Sequence, residues 1–306
     1  VSPARSFRSL DIVLSEIRRG DLCAVLVEGE ESGSDAHLLK FILREVTTEV
    51  AFFGRDGREG VRSDLQDMIS QLPVDRLFAI LDRDFESEQT IDQCFASDYR
   101  GHLFFWRRYT VENYLLEPMW VVEAVRQIMW GNPDLIPTEF RAESAVEMFL
   151  LNSAKQLAPL AAGNAAIANL TSEQRRRKLR VEARAYFEGD ADKVLARLIA
   201  HYSGWSDLDP DLFSSETLTE RYNTNLATIQ SACQDLSGIH KFISGKTLLR
   251  MLHQRLLGIP NHKVRYADVL SRLMTLASKS VPSDMQALIQ DHILPRLRKA
   301  RNLAQE

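Results

Sequence analysis

The sequence predicts an α/β protein, a Rossmann-like parallel sheet with a large α-helical C-terminal part. Three observations carry that prediction. Short apolar runs at residues 23–27, 50–54, 77–81 and 102–106 end abruptly at glycine, acid or base, as strands buried on both faces do. The segments between them carry apolar residues at helical spacing, and strands alternating with helices of about 10–15 residues indicate βαβ units. After Pro118 the strand-like runs cease and every patterned segment is helical.

Taken in order, Phe7, Leu10, Val13, Leu14 and Ile17 form one helical stripe that runs into Arg18-Arg19-Gly20. Cations in the last turn and a glycine stop fit a helix end. The first strand follows. Ser34 then N-caps a helix through Leu38, Leu39, Ile42, Leu43 and Val46, since a serine hydroxyl can accept an otherwise unpaired first-turn N–H. The second strand leads through Arg55-Asp56-Gly57-Arg58 into a helix marked by Leu65, Met68, Ile69 and Leu72, and Pro73 stops it. In the helical part, segments are expected at 119–130, 141–157, 172–187, 191–201, 218–234, 246–257, 266–277 and 283–303. The last should kink at Pro295, which lacks the N–H of a helical rung. The expected organisation is an N-terminal helix at 1–20, an α/β domain at 21–117 and a helical region at 118–306.

Composition narrows the class. A chain of 306 residues with 45% hydrophobic and 26% charged residues is ordinary for a globular protein. No apolar run approaches the length of about 20 residues that spans a bilayer, and Val1-Ser2-Pro3-Ala4-Arg5 has no apolar signal core. Cys23, Cys94 and Cys233 are scattered and form no C-x-x-C pair, which argues against a disulfide framework and for a reducing cytoplasm. A net charge of −4 excludes a protein that coats nucleic acid indiscriminately, but it leaves room for a local basic groove.

The chemistry lies where two of the strands stop. The first ends in Glu28-Gly29-Glu30 and the third in Asp82-Arg83-Asp84. If these strands are parallel neighbours, Glu28, Asp82 and Asp84 meet at the carboxyl end of the sheet, where open α/β sheets bind ligands. Converging carboxylates repel unless a cation neutralises them, and oxygen-only donors suit Mg²⁺. One acid after a strand is most often a loop residue. Two such endings together shift the reading towards a metal site.

Val27-Glu28-Gly29 and Asp82-Arg83-Asp84 resemble the two motifs of the TOPRIM fold, shared by topoisomerases, bacterial primases and OLD nucleases. Tyr109-Thr110-Val111-Glu112-Asn113-Tyr114-Leu115-Leu116 resembles the Glu-Asn-Tyr-Leu motif of an OLD-like TOPRIM subfamily, to which the effector of the PARIS anti-phage system belongs. The likeness spans about residues 20 to 260, specific in its motifs and thin between them. It implies a Mg²⁺- or Mn²⁺-dependent nuclease acting on RNA, tRNA in particular, or DNA. It further implies a partner ABC-type ATPase (AriA-like) and a homodimer. Glu28, Asp82 and Asp84 would be metal ligands, with Glu28 also able to carry a proton. A catalytically silent TOPRIM fold serving as an assembly subunit is the alternative. Primase or topoisomerase chemistry is weaker, because no primase zinc motif and no nucleophilic-tyrosine domain are evident.

Other residues carry two readings each. Asp35 is either a second-metal ligand or a first-turn acid complementing the helix dipole. Glu30 and Glu31 read as solvated loop acids. Glu112 is a further metal ligand by resemblance, or an acid at a helix start, and Arg107 or Arg108 would pair with it or touch phosphate. Ser244-Gly245-Lys246-Thr247 looks like the end of a P-loop, but the earlier glycine that motif needs is His240. Lys246 instead resembles the late lysine of OLD-like nucleases. A cation beside free N–H groups is a sensible phosphate contact, and an exposed first-turn lysine is the plainer reading. Arg175, Arg176, Arg177 and Lys178 form the densest basic run, either a solvated helix face or a track for a nucleic-acid backbone. Arg296, Arg298, Lys299 and Arg301 pose the same choice. H-E-x-x-H and Gly-x-Ser-x-Gly are absent.

Overall fold

A computed structural model describes Ser15 and residues 23–29, 34–46, 48–55, 57–69, 76–94, 101–168, 190–202, 210–259 and 263–303. The expected helices at 7–19 (apart from Ser15) and 172–187 lie outside these residues, as do Glu30, Glu31, Arg175, Arg176, Arg177 and Lys178. Two compact units make up the chain. One comprises Val1–Arg107 with Leu270–Glu306, the other Arg108–Val269.

The first unit is built on four parallel strands, β1 (Cys23–Glu28), β2 (Val50–Arg55), β3 (Leu77–Leu81) and β4 (Leu103–Phe105), in the order β2-β1-β3-β4. This is the Rossmann-like α/β sheet that the sequence predicts. Central placement explains why β1 and β3 read as unbroken apolar runs, since both faces of each are covered. Helices α1 (Ser34–Ile42), α2 (Gly57–Ile69) and α3 (Glu88–Cys94) fill the connections. On one face, Val61, Leu65 and Met68 of α2, with Ile91 of α3, pack on Ala24, Leu26, Ala79, Leu81 and Phe105. Their spacing along α2 is that of a single helical stripe.

Register decides where the acids fall. Val27 pairs with Ile80 on β3, and Glu28 pairs with Arg55 on β2. Glu28 and Asp82 therefore leave the same end of neighbouring strands. The opposite end is closed by Arg296, which donates to the Gly101 carbonyl, donates to His102 Nε2 at 3.1 Å and lies 5.1 Å from the Phe78 ring centroid. His102 Nδ1 stands 2.7 Å from the Leu77 carbonyl, so a proton on Nδ1 satisfies both contacts. Arg296 thus serves the amino end of β3 and β4, away from the acids. The last helical stretch changes its hydrogen-bonding type just before Pro295. A π segment, Leu288–Ile293, separates Ser283–Ala287 from Leu294–Leu303. A wider turn just before a proline accommodates its ring and its missing N–H.

In the second unit a 3₁₀ turn, Val111–Leu115, precedes α4 (Pro118–Ile128) and the long α5 (Glu143–Ala166). α5 runs on past Leu157, where the apolar pattern suggests an end, and carries Pro159 within it. Tertiary packing overrides the local break. At Gly163 the helix is close enough to α6 (Ala191–Tyr202) that a Cβ there would lie 3.1 Å from both Leu198 and Val194. Helices α7 (Ser215–Ala232), α8 (Leu236–Phe242) and α9 (Gly245–Leu257) complete the unit with the first residues of α10 (Tyr266–Lys279). α7 packs along α5, and the Tyr222 hydroxyl donates to the Ala191 carbonyl at 3.0 Å. Among the described residues, no helix is long and apolar enough to cross a membrane.

Candidate functional site

At the carboxyl end of the sheet, the sequence Asp82-Arg83-Asp84 splits its charges. Asp82 directly continues β3, and its backbone N–H donates to Glu28 Oε1 at 3.1 Å, which ties the ends of the two strands together. Asp84 sits at φ +49°, a left-handed conformation that aspartate tolerates better than most residues. Arg83 points elsewhere. It is 3% exposed and donates to Glu88 at 3.0 Å and to the Arg107 carbonyl at 3.1 Å. Arg107 in turn pairs with Glu88 at 3.3 Å and Asp92 at 2.8 Å. The arginine between the acids is therefore a strut for the loop, and it leaves Asp82 and Asp84 on the other side.

Among these acids lies the guanidinium of Arg58, the second residue of α2. Its Nη2 donates to the Asp82 carbonyl at 2.8 Å and to Asp84 Oδ2 at 3.1 Å. Its Nη1 donates to Glu86 Oε1 at 2.7 Å, and its Nε lies 3.7 Å from Glu28 Oε1. The guanidinium packs 5.5 Å from the Phe105 ring centroid. Burial works against the charge, but Asp84, Glu28, Glu86 and Asp82 together outweigh it and hold the pKa above the ordinary arginine value. One planar fork thus gathers the acids that the sheet brings to its edge.

Asp35 belongs to the same unit. It is 3% exposed at the start of α1, against Gly29, where φ is +119°. A Cβ built on Gly29 would lie 3.5 Å from Asp35 Oδ2, and the left-handed backbone there would strain any other residue.

Carboxylate oxygens are hard donors, the chemistry that suits Mg²⁺. Their arrangement does not yet form a metal site. Among the described residues, no three Asp, Glu, His or Cys side chains stand close enough together to hold a metal ion. In this structure Arg58 stands among these acids.

The second unit carries Glu112 and Lys246. Glu112 lies in the 3₁₀ turn, 4% exposed, with Lys246 Nζ 3.5 Å from its Oε1. Arg108 pairs with Glu117 at 2.7 Å, donates to the Asn113 carbonyl at 3.1 Å and stacks 4.7 Å from the Tyr114 ring centroid. Tyr266 is close enough to feel the acid: burial, then Glu112, raise its pKa against the opposing pull of Arg250 and Lys246.

Lys246 is placed by Asn113. The Asn113 Oδ1 accepts from the Thr110 N–H at 2.9 Å, the Thr110 hydroxyl at 3.0 Å and the Gly245 N–H at 3.0 Å. Its Nδ2 donates to the Ile243 carbonyl at 2.9 Å. The segment before Gly245 is the helix α8, ending at Phe242, so the Gly-Lys-Thr sequence does not follow a strand as a P-loop does.

Arg58 and Glu86 escaped the sequence reading. The available signal was an arginine directly after the glycine that opens the helix following β2, the strand that neighbours Glu28. Its meaning depends on strand order, which spacing alone does not provide. A scan against protein-family models finds no match to this chain, and a search of curated proteins finds no significant match.

Proposed function

We propose that the chain is a Mg²⁺-dependent endonuclease of the OLD-like TOPRIM kind, resembling AriB, and that it acts as a toxic effector in phage defence. On this reading it cleaves phosphodiester bonds of RNA, tRNA in particular, or DNA in the cytoplasm, under the control of a partner ABC-type ATPase related to AriA. The observation that supports it best is the joint of the two strand ends, where Glu28 accepts the Asp82 N–H and Asp84 reaches the same cation.

Glu28, Asp82 and Asp84 would hold Mg²⁺ or Mn²⁺, with Asp35 as a further candidate. Lewis-acid polarisation of a phosphodiester is the chemistry such an ion supplies. The chain's own contribution is orientation. The Asp82 N–H fixes the Glu28 carboxylate, the turn at Asp84 aims its side chain, and Phe105 backs the cluster with apolar surface. The resemblance adds Glu112 as an acid and Lys246 as the phosphate contact. The basic run Arg175, Arg176, Arg177 and Lys178 is a proposed backbone track.

The test incubates the purified protein with Mg²⁺ or Mn²⁺ and labelled tRNA, total RNA or plasmid, with and without the partner ATPase. Cleavage that is lost in Glu28→Ala and in Asp82→Ala is the expected result, and cleavage that survives both changes sinks the assignment. A catalytically silent assembly subunit is the second reading. It is favoured by the arginine already seated among the acids, and the absence of cleavage under every condition would select it.

A further inference from the structure

Arg58 is not a surface partner that happens to reach an acid. Its side chain is 11% exposed, while those of Glu28, Glu86 and Asp84 are 18%, 26% and 37% exposed. Three of its contacts are hydrogen bonds of 2.7–3.1 Å to oxygens. They come from Asp84, Glu86 and the backbone of Asp82, and Glu28 adds the longer ion pair at 3.7 Å. A half-buried carboxylate cluster without a cation is costly, because each charge has lost water and faces like charges. The guanidinium meets that need from within the chain. A divalent cation ligated by Glu28 and Asp84 would draw on the same carboxylates and, at bonding distances of about 2.0–2.6 Å, much of the same space. Two cations sharing those carboxylates would also repel.

We infer that Arg58 is the resident counter-ion of the acidic end of the sheet, and that a divalent cation occupies that end only by displacing its guanidinium. The inference rests on the proposed metal-binding reading of Glu28, Asp82 and Asp84. Wild-type protein is then a weak metal binder by construction. Anything that draws Arg58 away, such as the phosphate of a bound nucleic acid, raises metal affinity.

The experiment titrates Mn²⁺ into the wild-type chain, Asp82→Asn, Arg58→Gln, Arg58→Lys and the double variant Arg58→Gln/Asp82→Asn. Bound Mn²⁺ is read by electron paramagnetic resonance, and thermal unfolding is followed with and without Mg²⁺. Removing the rival charge is expected to tighten Mn²⁺ about tenfold or more, since tenfold is only about 1.4 kcal/mol. Lysine keeps a charge but lacks the fork, so Arg58→Lys is expected between wild type and glutamine. It decides the matter if the glutamine variant does not fold. The unfolding temperature of Arg58→Gln should rise more with Mg²⁺ than that of wild type, and the double variant should lose both gains. Equal, Asp82-dependent Mn²⁺ affinity in wild type and in the Arg58 variants overturns the inference while leaving the metal reading intact. No Asp82-dependent Mn²⁺ in any variant overturns both.

Discussion

The Gly245 backbone N–H donates to the Asn113 carboxamide oxygen at 3.0 Å across 132 residues of chain. That bond sets the start of α9, and therefore Lys246, beside the turn that carries Glu112. The approach is close: a Cβ on Gly245 would stand 2.4 Å from the Asn113 nitrogen and 2.7 Å from the Glu112 carbonyl carbon, both backbone. Gly245→Ala is therefore expected to destabilise the unit by about 2 kcal/mol or more. Asn113→Ala leaves the buried Gly245 and Thr110 donors without their acceptor, at about 1–3 kcal/mol. Asn113→Asp keeps the acceptor but buries a carboxylate whose second oxygen faces the Ile243 carbonyl, so it should be at least as destabilising as Asn113→Ala. Urea unfolding at neutral pH reads the order.

If Lys246 contacts the scissile phosphate, Lys246→Ala should slow cleavage about ten- to a thousandfold without altering Mn²⁺ binding. Parallel kinetics and metal titration separate the two quantities. Loss of both in equal measure would argue that the lysine serves only to neutralise Glu112.

His240 offers a pH test of the second unit. Burial, then the Arg108 charge, push its pKa from the ordinary 6.5 down to about 3. A folded pKa below the unfolded one means that the unfolded chain takes up the proton first. Stability is then full above about pH 6.5 and is lost as pH falls towards 3, by about 1.4 kcal/mol per pH unit. Between pH 6.5 and 5 that is about 2 kcal/mol. His240→Gln should flatten this part of the curve when chemical unfolding is followed against pH, and an unchanged slope would remove His240 from the account.

Cys233 is buried, and burial, then Asp235, raise its thiol pKa to about 11. At pH 8 about one molecule in a thousand carries the thiolate. Native protein should therefore resist iodoacetamide at Cys233 for hours, and urea should make it react, as mass spectrometry of the cleaved peptide would show. Fast labelling of the native chain would contradict this placement.

The sheet was legible because its signal is local. β1 and β3 are apolar on both faces, so composition alone marks them, and their parallel pairing brings Glu28 and Asp82 to one end as their positions suggested. Arg58 was illegible for the converse reason. Its value comes from strand order, rotamer and a turn at positive φ, none of which leaves a periodic trace. The extension of α5 through Pro159 was hidden in the same way, because Gly163 earns its place only against Leu198 and Val194. Asn113 stood within a motif, yet two of its four side-chain hydrogen bonds depend on where Ile243 and Gly245 return.

Arg296 has a consequence for the order in which the molecule is assembled. The unit it completes is interrupted in sequence, with Arg108–Val269 translated before the residues that close it. During synthesis the second unit has all its residues available first, whereas the ends of β3 and β4 at Leu77 and Gly101 wait for position 296 to emerge. Domains tend to fold as units as they leave the ribosome, so the sheet bearing the acids would be the last part to gain its full set of contacts. A nascent chain could then carry a finished helical unit before the amino end of its sheet, opposite the acids, is locked in place.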